Sequence, residues 1–214
     1  MLEQELKRKV IEIGRALVTK GLVLGTGGNI SIRTEKGFLV TPSGMDYFML
    51  RPGDLVALDL ECRVLDGDRK PSIEKNLHAA ILAARPDVRA VIHTHSECCT
   101  AVAACRKALP AATDNQVAYF GGEVPVADYA PIGTETLAKN AARALGDGCA
   151  VLLANHGAVC VGATLEEAFL RCEMLESFSR IFIYAQMAGG CVAIEKEDAR
   201  REYLDLKERY GQRG

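Results

Sequence analysis

The chain has 214 residues, of which 49% are apolar and 25% are charged, and a chain of this length usually folds as one domain around a large core. Its net charge of −2, without a dense basic run, gives no polyanion-binding surface, so nucleic acid is not an expected partner. No apolar run reaches the roughly 20 residues of a membrane span, and the charged first residues are not a secretory signal, which predicts a cytoplasmic protein.

Apolar spacing and turn residues predict alternating helices and strands along the chain. In chain order these are helix 2–20, strands 29–33, 38–41 and 54–60, helix 71–84, strand 90–95, helix 97–107, strand 124–129, helix 134–145, strand 150–155, and helices 164–187 and 195–210. Ser72 is the expected N-cap of its helix, and Thr164 with Glu167 forms a capping box. No linker or repeat interrupts this order, so we expect a single α/β domain.

Three of the four histidines are predicted to meet near strand ends. His93 and His95 lie two residues apart on a predicted strand, so both imidazoles point to one face, and His156 follows another buried strand. Three imidazoles around an open position are typical of catalytic zinc, and Glu74 could add a carboxylate as fourth ligand or base. His78 is expected to pack beside the site. On these residues alone, histidines that only hydrogen-bond to their neighbours are an open alternative.

Two turns rich in small residues suggest an anion site. Gly25-Thr-Gly-Gly-Asn29 joins a helix to a strand, and Thr41-Pro-Ser-Gly44 forms the second turn. Successive glycines allow backbone N–H groups to converge on an anion, and the helix start at Ser72 would add its dipole. The chain lacks the Walker and dinucleotide-binding patterns, so the prediction is a phosphate held by loops. Each turn taken alone is equally consistent with a structural role.

Five short motifs follow one another along the chain, and together they are more specific than any one alone. They are Gly25-Thr-Gly-Gly-Asn-Ile-Ser-Ile-Arg33, Thr41-Pro-Ser-Gly44, Pro71-Ser-Ile-Glu74, Val91-Ile-His-Thr-His-Ser96 and Asn155-His-Gly-Ala158. In this order they resemble the class II aldolase and adducin family, and within it most closely the L-fuculose-1-phosphate aldolases. The resemblance covers residues 1 to about 211. It implies one domain over 1–214 with a central, mostly antiparallel β-sheet flanked by helices.

The resemblance also assigns site residues. Its metal ligands fall on Glu74, His93, His95 and His156, with Zn²⁺ as the expected ion and Mn²⁺ or Fe²⁺ as alternatives. Its substrate phosphate site falls on Gly28, Asn29, Ser43, Gly44 and Ser72. The candidate catalytic residues are Glu74, as the proton carrier, and Asp114 or Tyr210, which would protonate or orient the aldehyde oxygen. Tyr210 resembles the tyrosine that the family has near its C-terminus.

The activity implied is that of a metal-dependent aldolase acting on a small phosphorylated sugar. The substrate would be a ketose 1-phosphate, either similar to L-fuculose 1-phosphate or a 5-deoxypentulose 1-phosphate. Cleavage would give dihydroxyacetone phosphate and an aldehyde through a zinc-stabilised enediolate. The family also implies a homotetramer with active sites at subunit interfaces, where Tyr210 reaches the neighbouring site, and no membrane partner.

Three positions depart from the patterns of the family. Ile73 replaces a serine of the aldolase phosphate site, and Asp114 replaces a tyrosine, which indicates a different aldehyde. Ala118 stands where the related epimerases have an acidic aspartate, which argues against epimerisation. Dehydratases and decarboxylases share the scaffold and are alternatives. An adducin-like interaction module is a weaker one, because such domains lack the full set of metal ligands.

Overall fold

The computed structural model describes residues 2–209, and within them the helices and strands alternate much as the sequence predicts. The elements in chain order are α1 Leu2–Thr19, β1 Asn29–Arg33, β2 Phe38–Val40, β3 Val56–Leu58, β4 Val64–Asp66, α2 Lys75–Ala84, β5 Ala90–Thr94, α3 Glu97–Ala104, α4 Asp114–Phe120, β6 Val126–Ala127, α5 Glu135–Leu145, β7 Ala150–Leu153, β8 Gly157–Gly162, α6 Leu165–Met187 and α7 Lys196–Arg209. None of the described helices is both long and apolar enough to cross a membrane.

All eight strands of the described chain form one sheet, in the order β4-β3-β2-β1-β5-β8-β7-β6. Every neighbouring pair is antiparallel except β6 and β7, which run parallel. The prediction of a mostly antiparallel central sheet is therefore confirmed. β5 lies at the middle of the sheet, between β1 and β8, so the residues at its end are surrounded by ordered backbone.

Alternating side chains divide the core into two layers, one on each face of the sheet. On β5, Ile92 packs into the layer formed with α1, α3 and α6. Val91 points to the opposite layer, which is formed with α2 and α5. His93 follows two residues after Val91, so it faces the α2 side, where Glu74 and His78 lie.

The helix expected over 71–84 begins later than its sequence pattern indicates. Residues 41–43 and 70–72 pair as extended segments, because the Ser43 N–H donates to Lys70 and the Ser72 N–H donates to Thr41. The helix therefore starts at Lys75, and Ser72 is not its N-cap. The Ser72 hydroxyl instead accepts from the Glu74 N–H at 3.2 Å, which forms the turn before the helix.

Other boundaries also differ from the predictions. The helix expected to reach residue 107 ends at Ala104, since Arg106 has a φ of 53° that no α-helix accommodates. The predicted strand 124–129 shortens to β6. β4, α4 and β8 were not predicted. A signal for α4 is present in the sequence, since the Thr113 side chain caps it by accepting from the Gln116 N–H.

Helix α1 contains a glycine whose missing side chain makes room for a buried ring. A Cβ at Gly14 would lie 2.1 Å from the Tyr47 ring, which is almost fully buried. We expect Gly14→Ala to lower the free energy of unfolding by about 1–3 kcal/mol, as overpacking does. In an exposed helix the same change usually stabilises the protein by about 1 kcal/mol. A decrease in the free energy of unfolding would therefore indicate the contact with the Tyr47 ring. Urea unfolding followed by circular dichroism measures the difference.

The double variant Gly14→Ala with Tyr47→Leu is the control for this contact. Gly14→Ala should cost less stability when it is added to Tyr47→Leu than when it is added to the unaltered chain, because the smaller side chain leaves room for the new methyl group and the two positions are coupled. A Gly14→Ala protein as stable as the unaltered chain would show that Tyr47 moves aside at little cost.

Candidate metal centre

The four residues expected to bind metal come together from three separate parts of the chain. Glu74 ends the turn before α2, His93 lies on β5, His95 lies just after β5, and His156 lies in the turn between β7 and β8. One ligand atom from each residue lies within 4.8 Å of all the others. His95 is outside the strand that was expected to carry it, but its imidazole still meets that of His93.

The Nε2 atoms of the three imidazoles converge on one point. Those of His93 and His95 lie 2.8 Å apart, and those of His95 and His156 lie 3.2 Å apart. The Glu74 carboxylate completes the group, with Oε2 at 3.2 Å from His93 Nε2 and Oε1 at 3.5 Å from His156 Nε2.

The donor set fits a divalent cation on the chemistry of these atoms. His93 Nδ1 lies 2.9 Å from the carbonyl oxygen of Ala158, to which only a ring N–H can donate. In the neutral ring its Nε2 therefore carries a lone pair that is directed at the other two imidazoles. Glu74 Oε1 and His156 Nδ1 are buried without a hydrogen-bond partner among the described residues. Three nitrogens and one carboxylate oxygen around a common centre match the ligands that zinc prefers.

Electrostatics favours the protonation states in which such ligands bind a cation. Burial, together with the nearby His93, lowers the pKa of His95 to about 4. Burial and His93 likewise lower the pKa of His156 to about 4. For Glu74 burial raises the pKa, but the hydrogen bond and charge of His93 and the amide of Asn29 outweigh it and hold the pKa well below its usual range. His95 and His156 are thus neutral and Glu74 is ionised, which are the states that bind a cation.

A buried hydrogen-bond chain orients Glu74. The Asn29 side-chain amide donates to Glu74 Oε2 at 2.9 Å, and its carbonyl oxygen accepts from His78 Nε2. That bond makes His78 Nδ1 an acceptor, to which the Ser31 hydroxyl donates at 2.6 Å. His78 is therefore a supporting residue, as the sequence predicts. The sequence offered no signal for the bond between Asn29 and Glu74, because the two residues are distant in the chain.

One glycine of the histidine turn is required by close packing. A Cβ at Gly157 would lie 2.3 Å from the Thr94 carbonyl oxygen and 3.0 Å from the His95 ring. Any side chain there would push the turn that contains His156 away from the end of β5. The Asn155-His-Gly-Ala158 motif thus has a geometric reason for its glycine.

The segments expected to bind phosphate surround Glu74. Gly28 and Asn29 lead into β1, and the Thr41 hydroxyl accepts from the next N–H, that of Ile30, at 3.1 Å. The hydroxyl of Ser72 contacts the Glu74 N–H, which brings the third segment to the same place.

The backbone amides of these segments are not all available, contrary to the sequence-based expectation. The N–H groups of Ser43 and Ser72 donate to carbonyl oxygens of the paired segments. No backbone hydrogen bond of the described residues uses the N–H of Gly44 or Ile73. Ser43 and Ser72 would therefore contribute hydroxyls, while Gly44 and Ile73 would contribute amides.

The two other expected catalytic residues are less closely connected to the cluster. Asp114 is the exposed first residue of α4, which packs against α6 and α7. No hydrogen bond or ion pair in residues 2–209 joins Asp114 to Glu74 or to the three clustered histidines. Tyr210 lies outside the described residues, directly after α7 ends at Arg209.

Comparison with protein families matches residues 8–183 to the family described as "Class II Aldolase and Adducin N-terminal domain". A 5-deoxy-D-ribulose 1-phosphate aldolase of Bacillus thuringiensis serovar kurstaki is 36% identical over 214 residues, which cover 99% of this chain and 100% of the relative. A 5-methylthioribulose-1-phosphate/5-deoxyribulose-1-phosphate aldolase of Rhodospirillum rubrum is 42% identical over 164 residues, 76% of this chain and 73% of the relative.

A solved structure described as an L-fuculose 1-phosphate aldolase superposes with a TM-score of 0.91 at 36% identity. The superposition covers 95% of this chain and 96% of the other. The family match over residues 8–183 includes the strands and turns that carry Glu74, His93, His95 and His156.

Proposed function

The chain belongs to the class II aldolase and adducin family, and we propose that it is a metal-dependent aldolase that cleaves a ketose 1-phosphate to dihydroxyacetone phosphate and an aldehyde. The observation that supports this most is the convergence of three imidazoles and Glu74 within 4.8 Å. The relatives named as 5-deoxyribulose-1-phosphate and L-fuculose-1-phosphate aldolases favour a substrate with a deoxygenated terminal carbon. We propose zinc as the ion, with manganese or iron as alternatives.

A divalent cation bound here supplies Lewis-acid chemistry, which polarises the carbonyl of the substrate and stabilises negative charge. Glu74, His93, His95 and His156 are the residues that would hold it. The chain itself provides rigid orientation, because His93 is fixed by Ala158 and Glu74 is fixed by Asn29. Ligands that are already held in place need no reorganisation when the cation binds or when charge develops on the substrate.

Glu74 is the proposed proton carrier. Its Oε2 is held by Asn29, while its Oε1 has no hydrogen-bond partner in the described residues and could reach a substrate carbon. Because its pKa is well below the usual range, Glu74 begins ionised, as a base must. In the synthetic direction it would remove the proton from the hydroxymethyl carbon of dihydroxyacetone phosphate. In cleavage, the C3–C4 bond breaks and its electron pair stays on C3, while the C4 hydroxyl releases its proton to solvent as the aldehyde forms. Glu74 would take up a proton from solvent and deliver it to C3.

We propose that Asp114 and Tyr210 act on the aldehyde half, and that the enzyme is a homotetramer with sites at its interfaces. Three exposed apolar side chains support a buried interface, namely Leu24 (72% exposed), Met49 (70%) and Ile73 (60%), of which Ile73 directly precedes Glu74. A sedimentation mass of a single chain would contradict this assembly. We also propose a cytoplasmic location, which fits the eight free cysteines.

The phosphate site of Gly28, Asn29, Ser43, Gly44 and Ser72 also remains part of the proposal. Ser43 is the cleanest position to test, because it is exposed and its side chain has no hydrogen bond within the described residues. We expect Ser43→Ala to raise KM for the ketose 1-phosphate about tenfold, since a hydrogen bond to a charged group contributes roughly 1.5–3 kcal/mol. The metal content and the unfolding midpoint should not change. Steady-state kinetics at saturating metal measures the effect.

Ser177→Ala, at an exposed position of α6, is the matched control and should leave KM unaltered. An unchanged KM in Ser43→Ala, together with an unchanged inhibition constant for inorganic phosphate, would place the phosphate elsewhere.

The experiment that tests the function is a coupled assay for dihydroxyacetone phosphate. The panel contains the 1-phosphates of L-fuculose, L-rhamnulose, 5-deoxyribulose and 5-methylthioribulose. We expect release from at least one, with the preferred substrate reporting the shape of the aldehyde pocket. No release from any of them by the metal-loaded enzyme would favour an epimerase, dehydratase or decarboxylase on this scaffold.

A further inference from the structure

The imidazole rings of His95 and His156 make few hydrogen bonds that could fix their positions. Among residues 2–209, the ring nitrogens of His95 form hydrogen bonds only to the other two imidazoles. The Nδ1 atom of His156 is buried without a partner in the same residues. His93 differs, because its Nδ1 is fixed by a backbone carbonyl. The positions of His95 and His156 must therefore come from the backbone segments that carry them.

The N-terminal end of helix α3 begins two residues after His95 and is held by a side chain of another helix. Glu176 of α6 is 8% exposed, and its two carboxylate oxygens accept from the N–H groups of Cys98 and Cys99, each at 3.0 Å. Ser96, at the N-cap position, makes no side-chain cap. Glu176 thus satisfies the free amides of the first turn and places a negative charge at the positive end of the helix.

The C-terminal end of α3 holds the turn that presents His156. The Asn155 N–H donates to the carbonyl oxygen of Ala103 at 3.2 Å, and Arg106 Nε donates to Asn155 Oδ1 at 2.7 Å. Arg106 and Asn155 both have left-handed backbones, with φ of 53° and 57°. Non-glycine residues adopt this conformation at a cost, and the surrounding contacts must maintain it.

We propose that helix α3 sets the spacing between His95 and His156, and that Glu176 and Arg106 are positioning residues that fix its two ends. One end determines where the chain leaves β5 with His95, and the other determines where the turn between β7 and β8 places His156. Because Glu176 anchors α3 to α6, the packed core sets the spacing between His95 and His156. Neither side chain binds the metal.

The first test removes the charge that caps α3. Glu176→Gln keeps the shape of the side chain but replaces one acceptor oxygen with an NH₂ group that faces a backbone N–H. We expect zinc affinity, measured by chelator competition, to fall 10- to 100-fold, the range typical of residues that orient metal ligands. Glu173→Gln is the matched control. It removes the same charge one helical turn earlier, where Glu173 pairs with Lys20 at 3.0 Å, and should leave zinc affinity unchanged.

The second test separates positioning from stability. Glycine accepts a φ of 53° without steric cost, so Arg106→Gly relieves strain while it removes the bond to Asn155. We expect the metal-free protein to melt at the same or a higher temperature, yet to bind zinc about tenfold more weakly. The absorption spectrum of the cobalt-loaded variant should also change, because it reports ligand geometry. A purely structural role would move melting temperature and affinity in the same direction.

The role of α3 rests on the proposed metal site, and the measurements distinguish failure of that site from failure of the role of α3. If the unaltered chain binds no metal, the proposed function fails and the role of α3 fails with it. If the unaltered chain binds zinc, but both variants bind it equally well with the same cobalt spectrum, only the role of α3 is wrong. If Glu176→Gln does not fold, Arg106→Gly decides, and unaltered affinity in that variant overturns the proposal.

Discussion

Glu74→Gln is expected to reduce kcat/KM for ketose 1-phosphate cleavage by about 10²–10⁴, the usual contribution of a positioned acid or base. The amide has the shape of the carboxylate and still offers an oxygen to Asn29, which donates to Glu74 Oε2 at 2.9 Å. It cannot take up a proton at neutral pH, so the transfer to and from the substrate carbon should be lost. Initial rates measured at saturating zinc prevent weaker metal binding from accounting for the loss.

Glu135→Gln is a suitable control for this change. Glu135 is exposed at the start of α5, pairs with Lys139, and has no contact with the cluster among the described residues. Its substitution should leave the rate unaltered. Full cleavage by a zinc-loaded Glu74→Gln protein would mean that another group carries the proton.

His93→Ala should have the second large effect, which is loss of metal. The His93 ring is fully buried and lies between other members of the cluster, with Nε2 at 2.8 Å from His95 Nε2 and 3.2 Å from Glu74 Oε2. We expect zinc affinity to fall more than 100-fold, beyond the range for residues that only orient ligands. Activity should disappear with the metal. Chelator competition and metal analysis after dialysis measure both.

His78→Gln provides the comparison between a ligand and a supporting residue. His78 is also a fully buried histidine, but it contacts Asn29 and Ser31 and not the cluster centre. Its substitution should weaken zinc binding by no more than about 10- to 100-fold. Equal losses in the two variants would remove the distinction between the two histidines.

The sequence was sufficient for the parts of this molecule that depend on local pattern. Strands such as β5 and β7 are continuous apolar runs, and α1 repeats its apolar residues at helical spacing. The spacing of the histidines suggested a metal site but left histidines that only hydrogen-bond as an alternative. The resemblance carried by the five ordered motifs assigned Glu74, His93, His95 and His156 as the ligand set, and the structure brings these four side chains together.

Long-range hydrogen bonds decided what the sequence did not reveal. Pairing of residues 41–43 with 70–72 moves the start of α2 to Lys75 and uses the amides of Ser43 and Ser72. The bond from Asn29 to Glu74 joins residues 45 positions apart. Glu176 lies more than 70 residues along the chain from the two amides that donate hydrogen bonds to it. No local spacing indicates such partners, since they depend on which strands and helices become neighbours.

Metal titration of the stripped enzyme tests the central claim most directly. The protein is treated with chelator, dialysed, and assayed for dihydroxyacetone phosphate release from its preferred ketose 1-phosphate as zinc is added back. We expect no release from the metal-free protein and recovery that reaches a plateau at one zinc per chain, which is the number of Glu74-His93-His95-His156 clusters. Full cleavage by protein shown to be free of metal would contradict the assignment of this cluster as the catalytic metal site.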